Sequence, residues 1–153
     1  MSLFSGSSIV RPDAKGRIFI PAAFRRILTE MQAQKLYLRT EPGLNCLTVY
    51  PAHVWEERLD NLKSQLDDWD SQDLGLLIQL NGEAEEIQPD SQGRILLSKR
   101  HLQAIQSAGQ ELVIIGLMNR FTIWDKNVYE AFRLSSKDLS NAIRERIAKN
   151  KKD

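Results

Sequence analysis

Two short stretches contain the residues of this chain that are best suited to binding chemistry. DAKGRIFIP covers residues 13–21, and DSQGRILLS covers residues 90–98. In both, an Asp-x-x-Gly-Arg sequence precedes a short apolar run. Glycine permits the backbone of a tight turn, and the aspartate carboxylate can accept hydrogen bonds from the turn's amides. The planar fork of arginine can bind a phosphate bidentately or span the O6 and N7 acceptors of guanine.

These turns allow two interpretations. In the first, they are only hairpins, with Gly16 and Gly93 making the turn and each arginine paired with its aspartate. In the second, Arg17 and Arg94 form the matched halves of one DNA-binding surface. The repetition favours the second interpretation, and further positive charge near the first turn comes from Lys15, Arg25 and Arg26.

Catalytic and metal-binding chemistry has much weaker support. The chain lacks G-x-S-x-G, H-E-x-x-H, a phosphate loop and a dinucleotide fingerprint. Cys46 is the only cysteine and lies seven residues before His53, so a Cys–His nucleophile is an alternative, although a small buried thiol is favoured. A single cysteine excludes an intrachain disulfide and a cysteine metal cluster. We predict no enzyme activity, no cofactor, no metal and no small-molecule substrate.

The elements that must position the turns are themselves repeated. The two motifs are separated by 90 − 13 = 77 residues, and residues 36–38 lie at the same offset from 113–115. Residues 47–50 match 121–124 with an offset of 122 − 48 = 74. Each half is predicted to be strand, turn, strand, short helix, strand, strand, helix. This matched order indicates internal duplication, with the halves paired about a pseudo-twofold axis.

Several elements have signals of their own. Ile18, Phe19 and Ile20 are predicted to form a short buried strand. The predicted helices cover residues 22–28 and about 52–66, and a third is capped by Ser71 or Asp70 and runs through Leu80. Two more start at Asp125 and after Ser135. Ser135 and Asp138 make a capping box for the last of these. The tryptophans lie among apolar residues and are predicted to belong to the core: Trp55, Trp69 and Trp124.

Composition is that of a globular protein, with 153 residues of which 42% are apolar and 27% charged. No run approaches the ~20 apolar residues of a membrane span, and no secretion signal starts the chain, so a cytoplasmic protein without a membrane partner is expected. The formal charge of +1 conceals strong polarity. Residues 11–26 carry five basic side chains against Asp13, whereas residues 56–86 carry ten acidic ones.

The motifs resemble those of a known family. DAKGRIFIPAAFRR is similar to the first signature of the MraZ family of bacterial transcriptional regulators, and PDSQGRILLSKRHL is similar to the second. CLTVYPAHVWEERL and GLMNRFTIWDKNVY resemble the segments that follow each hairpin. The motif D-x-K-G-R-x-x-I-P is shared with the wider AbrB-like DNA-binding group, and its presence in two copies makes the resemblance to MraZ specific.

The resemblance implies an α+β fold: a double-split β-barrel of two tandem AbrB-like halves with packed helices. The implied parts are residues 1–70, residues 71–134, and an amphipathic C-terminal helix with a tail over 135–153. It also implies a ring-shaped homo-oligomer in the nucleoid that binds short promoter repeats of duplex DNA and autorepresses the division and cell-wall gene cluster. By position, the implied DNA-binding residues are Asp13, Lys15, Gly16, Arg17, Arg25, Arg26, Asp90, Gln92, Gly93 and Arg94.

The second half departs from this pattern at two positions. Ser98 replaces Pro21, and Gln92 replaces Lys15, so the second turn is expected to contribute less to phosphate binding. The alternative function is a ring-forming adaptor whose turns are only hairpins. Exposure of Lys15, Arg17 and Arg94 on one face would favour the regulator, whereas burial of the arginines against their aspartates would favour the adaptor.

Overall fold

A computed structural model describes residues 2–152. Its strands are β1 (Ser7–Val10), β2 (Arg17–Phe19), β3 (Leu36–Thr40), β4 (Cys46–Pro51), β5 (Glu85–Ile87), β6 (Arg94–Leu96), β7 (Leu112–Leu117) and β8 (Arg120–Asp125). Its helices are α1 (Ala22–Glu30), α2 (Ala52–Gln65), α3 (Ser71–Glu83), α4 (Lys99–Ala104), α5 (Lys126–Phe132) and α6 (Ser136–Lys152). The fold is mixed α+β, as the sequence predicted.

The strands form two antiparallel sheets. Six strands make one sheet in the order β1-β7-β8-β4-β3-β5, and β2 pairs with β6 in a separate two-stranded ribbon. The order of elements is the same in both halves: β1-β2-α1-β3-β4-α2 is followed, after α3, by β5-β6-α4-β7-β8-α5. The predicted order is therefore confirmed, with α3 and α6 standing outside it. The two halves are interleaved in the large sheet, since β1 pairs with β7, β4 with β8 and β3 with β5.

Local sequence explains where the helices begin. Pro21 and Pro51 precede α1 and α2, where a missing N–H costs no helical hydrogen bond. Side-chain oxygens cap the other four helices: Asp70 caps α3, Ser98 caps α4, Asp125 caps α5, and Ser135, as predicted, caps α6 by accepting from the Asp138 amide at 3.1 Å.

The main core lies between the inner face of the large sheet and a layer made by the ribbon, α1 and α4. Its centre includes an aromatic group in which the rings of Phe4, Phe24 and Phe121 have centroids 5.2–5.4 Å apart. Ile18 and Ile95 enter this core from the two ribbon strands and are fully buried. The ribbon that carries both turns is thus anchored by its inward-facing side chains.

Helices α2, α3 and α5 cover parts of the opposite face of the sheet. Trp55 of α2 packs on Tyr50, with Leu80 of α3 at the edge of that cluster. At the other end of β4, Cys46 and Trp124 form a second cluster covered by α5. Within residues 2–152, no helix combines the length and apolarity that a membrane crossing requires.

Two predictions about burial are wrong. Phe19 is 52% exposed, because alternation along β2 turns it away from the core that holds Ile18. Trp69 is 95% exposed in the link between α2 and α3, where its apolar neighbours on α3 are themselves uncovered. Trp55 and Trp124 are buried as predicted.

Candidate nucleic-acid interface

The first turn is organised by a single carboxylate. Oδ1 of Asp13 accepts hydrogen bonds from the backbone amides of Lys15 at 2.9 Å and Arg17 at 3.0 Å. Nε of Arg17 donates to Oδ2 of Asp13 at 2.7 Å. The amide of Gly16 donates to the Asp13 carbonyl at 3.0 Å, and the φ of Gly16 is +90°. Because L side chains rarely adopt that conformation, glycine is required there.

The second turn repeats this arrangement. Oδ1 of Asp90 accepts from the amides of Gln92 and Arg94, both at 2.9 Å. Nε of Arg94 donates to Oδ2 of Asp90 at 2.8 Å. Gly93 has a φ of +80°, and its amide donates to the Asp90 carbonyl at 3.0 Å. The two turns therefore share one hydrogen-bond pattern despite their different central residues.

Hydrogen bonds join each turn to the end of the ribbon strand from the other half. The amide of Leu97 donates to the carbonyl of Gly16, and the amide of Ile20 donates to the carbonyl of Gly93, both at 2.9 Å. The residues of one bond lie 77 positions from those of the other, since 97 − 20 = 93 − 16 = 77. The exchange is therefore reciprocal, as expected about a twofold axis. Because β2 and β6 are antiparallel and each turn precedes its own strand, the two turns lie at opposite ends of this three-residue ribbon.

The outer face of the ribbon presents both arginines. Arg17 pairs in register with Leu96, and Phe19 pairs with Arg94. With Ile18 facing the core, alternation places these four side chains on the outer face, with the two arginine Cα atoms diagonal neighbours about 7–8 Å apart. The guanidinium carbon of Arg94 lies 5.8 Å from the centre of the Phe19 ring.

Each arginine is held by its aspartate without being buried. The side-chain exposure is 32% for Arg17 and 19% for Arg94, and the aspartates are about equally accessible at 36% and 35%. The hydrogen bonds recorded within residues 2–152 engage Nε of each guanidinium and neither terminal nitrogen. The aspartates thus orient two partly exposed forks whose ends remain available to a ligand.

Both aspartates are held in their charged form. Hydrogen bonding from the amide and guanidinium of Arg17, with a smaller contribution from the Lys15 amide, lowers the pKa of Asp13 from 3.8 to about 2 against an opposing desolvation. The equivalent bonds from Arg94 and Gln92 lower the pKa of Asp90. The turns therefore keep their ion pairs at neutral pH.

The remaining predicted site residues are exposed, but they are distributed unequally. Lys15 lies within the first turn, and Arg26 lies on α1. Arg25 also belongs to α1, yet its Nη1 lies 3.5 Å from the carbonyl of Gln92, and a Cβ added to Gly93 would collide with its side chain. Arg25 thus supplies charge to the second turn, which lacks the lysine of the first.

Sequence reasoning missed the apolar part of this surface. Phe19 and Leu96 are 52% and 56% exposed beside the two arginines. The alternation of Ile18, Phe19 and Ile20 was the available signal, because a strand with one face on the core turns its middle residue outward. The ribbon face is therefore amphipathic, with two cations and two apolar side chains.

Within residues 2–152, the cysteine and the histidines do not form a catalytic or metal-binding site. Cys46 is buried, and burial raises the pKa of its thiol to about 12, so a reactive thiolate is disfavoured at neutral pH. His53 is exposed on α2, while His101 bonds Glu85 through Nε2 at 3.0 Å. Over the part of the chain that the structure describes, His, Cys, Asp and Glu side chains form no group of three or more suited to a metal ion.

Comparisons with known proteins agree with the motifs. A family model described as "MraZ protein, putative antitoxin-like" matches residues 3–75 and 80–151. A Bacteroides thetaiotaomicron protein named Transcriptional regulator MraZ is 39% identical over 145 residues, covering 95% of this chain and 92% of that protein. Proteins of the same name from Bacteroides fragilis, at 37% identity over 95% of this chain and 91% of that one, and from Shewanella frigidimarina, at 33% over 84% and 83%, are also similar.

Proposed function

The chain belongs to the MraZ family, and we propose that it is a sequence-specific regulator that binds duplex DNA through its paired turns. The observation that carries this proposal is the outer ribbon face, where Arg17 and Arg94 are oriented by their aspartates with their terminal nitrogens available. Rigid guanidinium forks on an antiparallel ribbon suit base edges in the major groove, which admits a two-stranded ribbon. Its relatives' name, transcriptional regulator, does not describe an enzyme.

The site residues take three roles in this proposal. Arg17 and Arg94 read base edges or clamp phosphates. Lys15, Arg25 and Arg26 contact phosphates around them. In the second turn, the side-chain amide of Gln92 donates a hydrogen bond to the DNA at the position where the first turn has the charge of Lys15. The remaining four fix the shape of the turns: Asp13, Gly16, Asp90 and Gly93.

The proposed architecture is a double-split barrel of two tandem AbrB-like halves, over residues 1–70 and 71–134, followed by 135–153. The reciprocal bonds between the two halves support it. The two segments matched by the family model also start 80 − 3 = 77 residues apart, the spacing of the motifs. The halves also share a backbone feature, since Gln32 after α1 and Gln106 after α4 both adopt left-handed φ values, 57° and 59°.

Assembly follows from the small size of this interface. One ribbon offers few phosphate contacts, so useful affinity requires several subunits on repeated sites, where later contacts form at high effective concentration. We therefore propose a ring-shaped homo-oligomer on short promoter repeats, acting in the cytoplasm at the nucleoid as autorepressor of the division and cell-wall gene cluster. In this arrangement the acidic segment 56–86 faces away from the DNA, because its negative charges would be repelled by the phosphates.

Footprinting and gel-shift titration on the DNA upstream of the protein's own gene test this proposal. We expect protection of several short repeats spaced by ~10–10.5 base pairs or a multiple, because such spacing presents the same groove to one side of the ring. Inserting half a helical turn between repeats should weaken binding strongly, and inserting a full turn should weaken it less. Tight binding to one isolated site, insensitive to insertions, would contradict the ring mechanism.

One observation favours the adaptor as the second candidate. Arg17 and Arg94 are both ion-paired within the chain, as hairpin-stabilising residues would be. Partly exposed pairs of this kind contribute only ~0–1 kcal/mol to stability, so removing an arginine separates the roles. If the protein is an adaptor, removing either arginine should leave both the fold and partner binding intact. If it is the regulator, the same change should abolish DNA binding.

A further inference from the structure

Helix α3 carries five large apolar side chains between residues 74 and 80, but none of its residues is buried in the described chain. Leu80 touches the Tyr50 cluster, while Leu74, Leu76 and Ile78 are 42%, 58% and 64% exposed. Apolar side chains that share one side of a helix normally pack against another surface. Leu74 and Ile78 are four residues apart and share one side of the helix, whereas Leu76 lies on the opposite side. The surface formed by Leu74 and Ile78, with Trp69 before them, is called here the α3 seat.

Helix α6 has the opposite character. Leu139, Ile143 and Ile147 recur every four residues, so they form one stripe, and each is about half exposed at 50–51%. Most of the helical stability of such a segment in a protein comes from packing an amphipathic face rather than from propensity. The stripe therefore needs a surface that its own chain does not provide in this structure.

The charges of these two surfaces are complementary. Residues 67–83 contain five acidic and no basic side chains, while residues 136–152 contain six basic and two acidic ones. The acids of the first segment gather around the start of α3, and the bases of the second around the end of α6. An antiparallel arrangement of the two helices brings these charges together.

We propose that the α6 stripe of one copy packs antiparallel on the α3 seat of a second copy. Each chain then offers one stripe and one seat, which is a heterologous contact, and such contacts close into rings when the rotation per subunit allows. This inference rests on the proposed homo-oligomer and identifies the segment that builds it. It also explains why α3 and α6 are the two helices outside the repeated order of elements.

Ile143→Glu tests the contact, with Asn141→Glu as its matched control on the far face of α6. Light scattering over a dilution series should show the dissociation constant of the assembly raised by roughly 10- to 100-fold in Ile143→Glu, from the loss of one buried apolar side chain. Asn141→Glu should assemble like wild type. Circular dichroism and thermal unfolding verify that both variants fold. Equal assembly of the two variants would overturn the α6 contact.

Crosslinking distinguishes a second copy from the same chain. In a Cys46→Ala background, Ile78→Cys and Ile143→Cys treated with a short bis-maleimide should give a ladder of covalent multimers, and Ile78→Cys with Asn141→Cys should give much less. Linked monomers would show an intrachain contact and overturn the proposal. A ladder from the Ile78→Cys, Ile143→Cys variant, together with no specific gel shift of the wild-type protein on repeat DNA, would support the α6 contact and contradict the proposed function instead.

Discussion

Asp13 holds Arg17 at 2.7 Å in the first turn, and Asp90 holds Arg94 at 2.8 Å in the second. Each carboxylate also accepts bonds from the amides two and four residues later, at 2.9–3.0 Å. The glycines have φ values of +90° and +80°. The backbone of the turn is thus set by the aspartate and the glycine, and it is the same whether lysine or glutamine lies between them.

The surroundings of the turns differ. Arg17 is 32% exposed, whereas Arg94 is 19% exposed and lies over the Phe19 ring. The first turn carries its own Lys15, while the second receives Arg25 from α1 of the other half. Shape and charge are therefore separable: each turn is shaped locally, and its charge comes in part from a distant element.

The glycines should show the largest difference between the turns. A positive φ costs about 1–2 kcal/mol for an L side chain at either position. At Gly16 the new Cβ would also collide with the backbone carbonyl of Leu97, which cannot move without opening the ribbon. At Gly93 it would meet only the flexible side chain of Arg25. Gly16→Ala should therefore lower the free energy of unfolding clearly more than Gly93→Ala.

Urea unfolding of both variants beside wild type provides this measurement. Gly93→Ala together with Arg25→Ala is the control, since removing the obstructing side chain should leave mainly the φ cost. Equal decreases in the free energy of unfolding for Gly16→Ala and Gly93→Ala would mean that the two turns tolerate a side chain equally. The turns would then differ only in their charge.

The arginines should show the next largest effect. Removal of a good bidentate bond to a base costs ~1–3 kcal/mol, or roughly 5- to 150-fold in affinity. We expect Arg17→Ala to abolish specific binding in practice, because the same bond is removed in every subunit, and Arg94→Ala to weaken binding less, because Arg94 is more covered. Neither change should cost more than ~1 kcal/mol of folding stability.

Gel-shift titration and thermal unfolding of the same preparations test this expectation. Arg58→Ala is the matched control, because Arg58 lies on α2, against Tyr50 on the other face of the large sheet. DNA binding that survives both Arg17→Ala and Arg94→Ala would support the adaptor.

Salt dependence should separate the charges of the two turns. The slope of log K against log salt becomes shallower by ~0.9 for each phosphate of duplex DNA that the protein no longer neutralises. Lys15→Gln makes the first turn like the second and should flatten the slope by about that amount per engaged subunit. Gln92→Lys should steepen it, and Arg25→Gln should flatten it if Arg25 serves the second turn. Fluorescence anisotropy across a salt series would measure all three, and an unchanged slope for Arg25→Gln would remove its assigned role.

Much of the fold was predictable from the sequence, because local signals control it. The order of elements, the start of α2 after Pro51, a cap of α3 at Asp70 or Ser71 and the start of α5 at Asp125 follow from periodicity and capping chemistry, and the resemblance implied the α+β class. Trp69 was mispredicted because its apolar neighbours on α3 indicate a core only if something covers that helix. Hydrophobic pattern marks residues that need cover without saying which chain supplies it.

Contacts between distant segments were not predictable. Arg25 reaches Gln92 across 67 positions in the sequence, and nothing near either residue indicates that contact. The exposure of Phe19 depends on the pairing of β2 with β6 over the core. The individual turns could be predicted from the sequence, but their interlocking required the structure.

Acid stability should give the smallest effect and should treat the two turns alike. The pKa of Asp13 is lowered to about 2 and that of Asp90 is lowered by equivalent bonds, so each carboxylate stabilises the fold above its unfolded pKa near 3.8. That stabilisation is lost as the pH falls through the folded pKa, and for Asp13 the window lies between about 4 and 2. Asp13→Asn and Asp90→Asn keep an acceptor for the turn amides but remove the titrating charge. Urea midpoints should therefore fall less steeply with acid in either variant than in wild type, and by similar amounts because the hydrogen bonds match. If only one variant changed the acid slope, the two carboxylates would not be energetically equivalent, and the likeness of the turns would be confined to their shape.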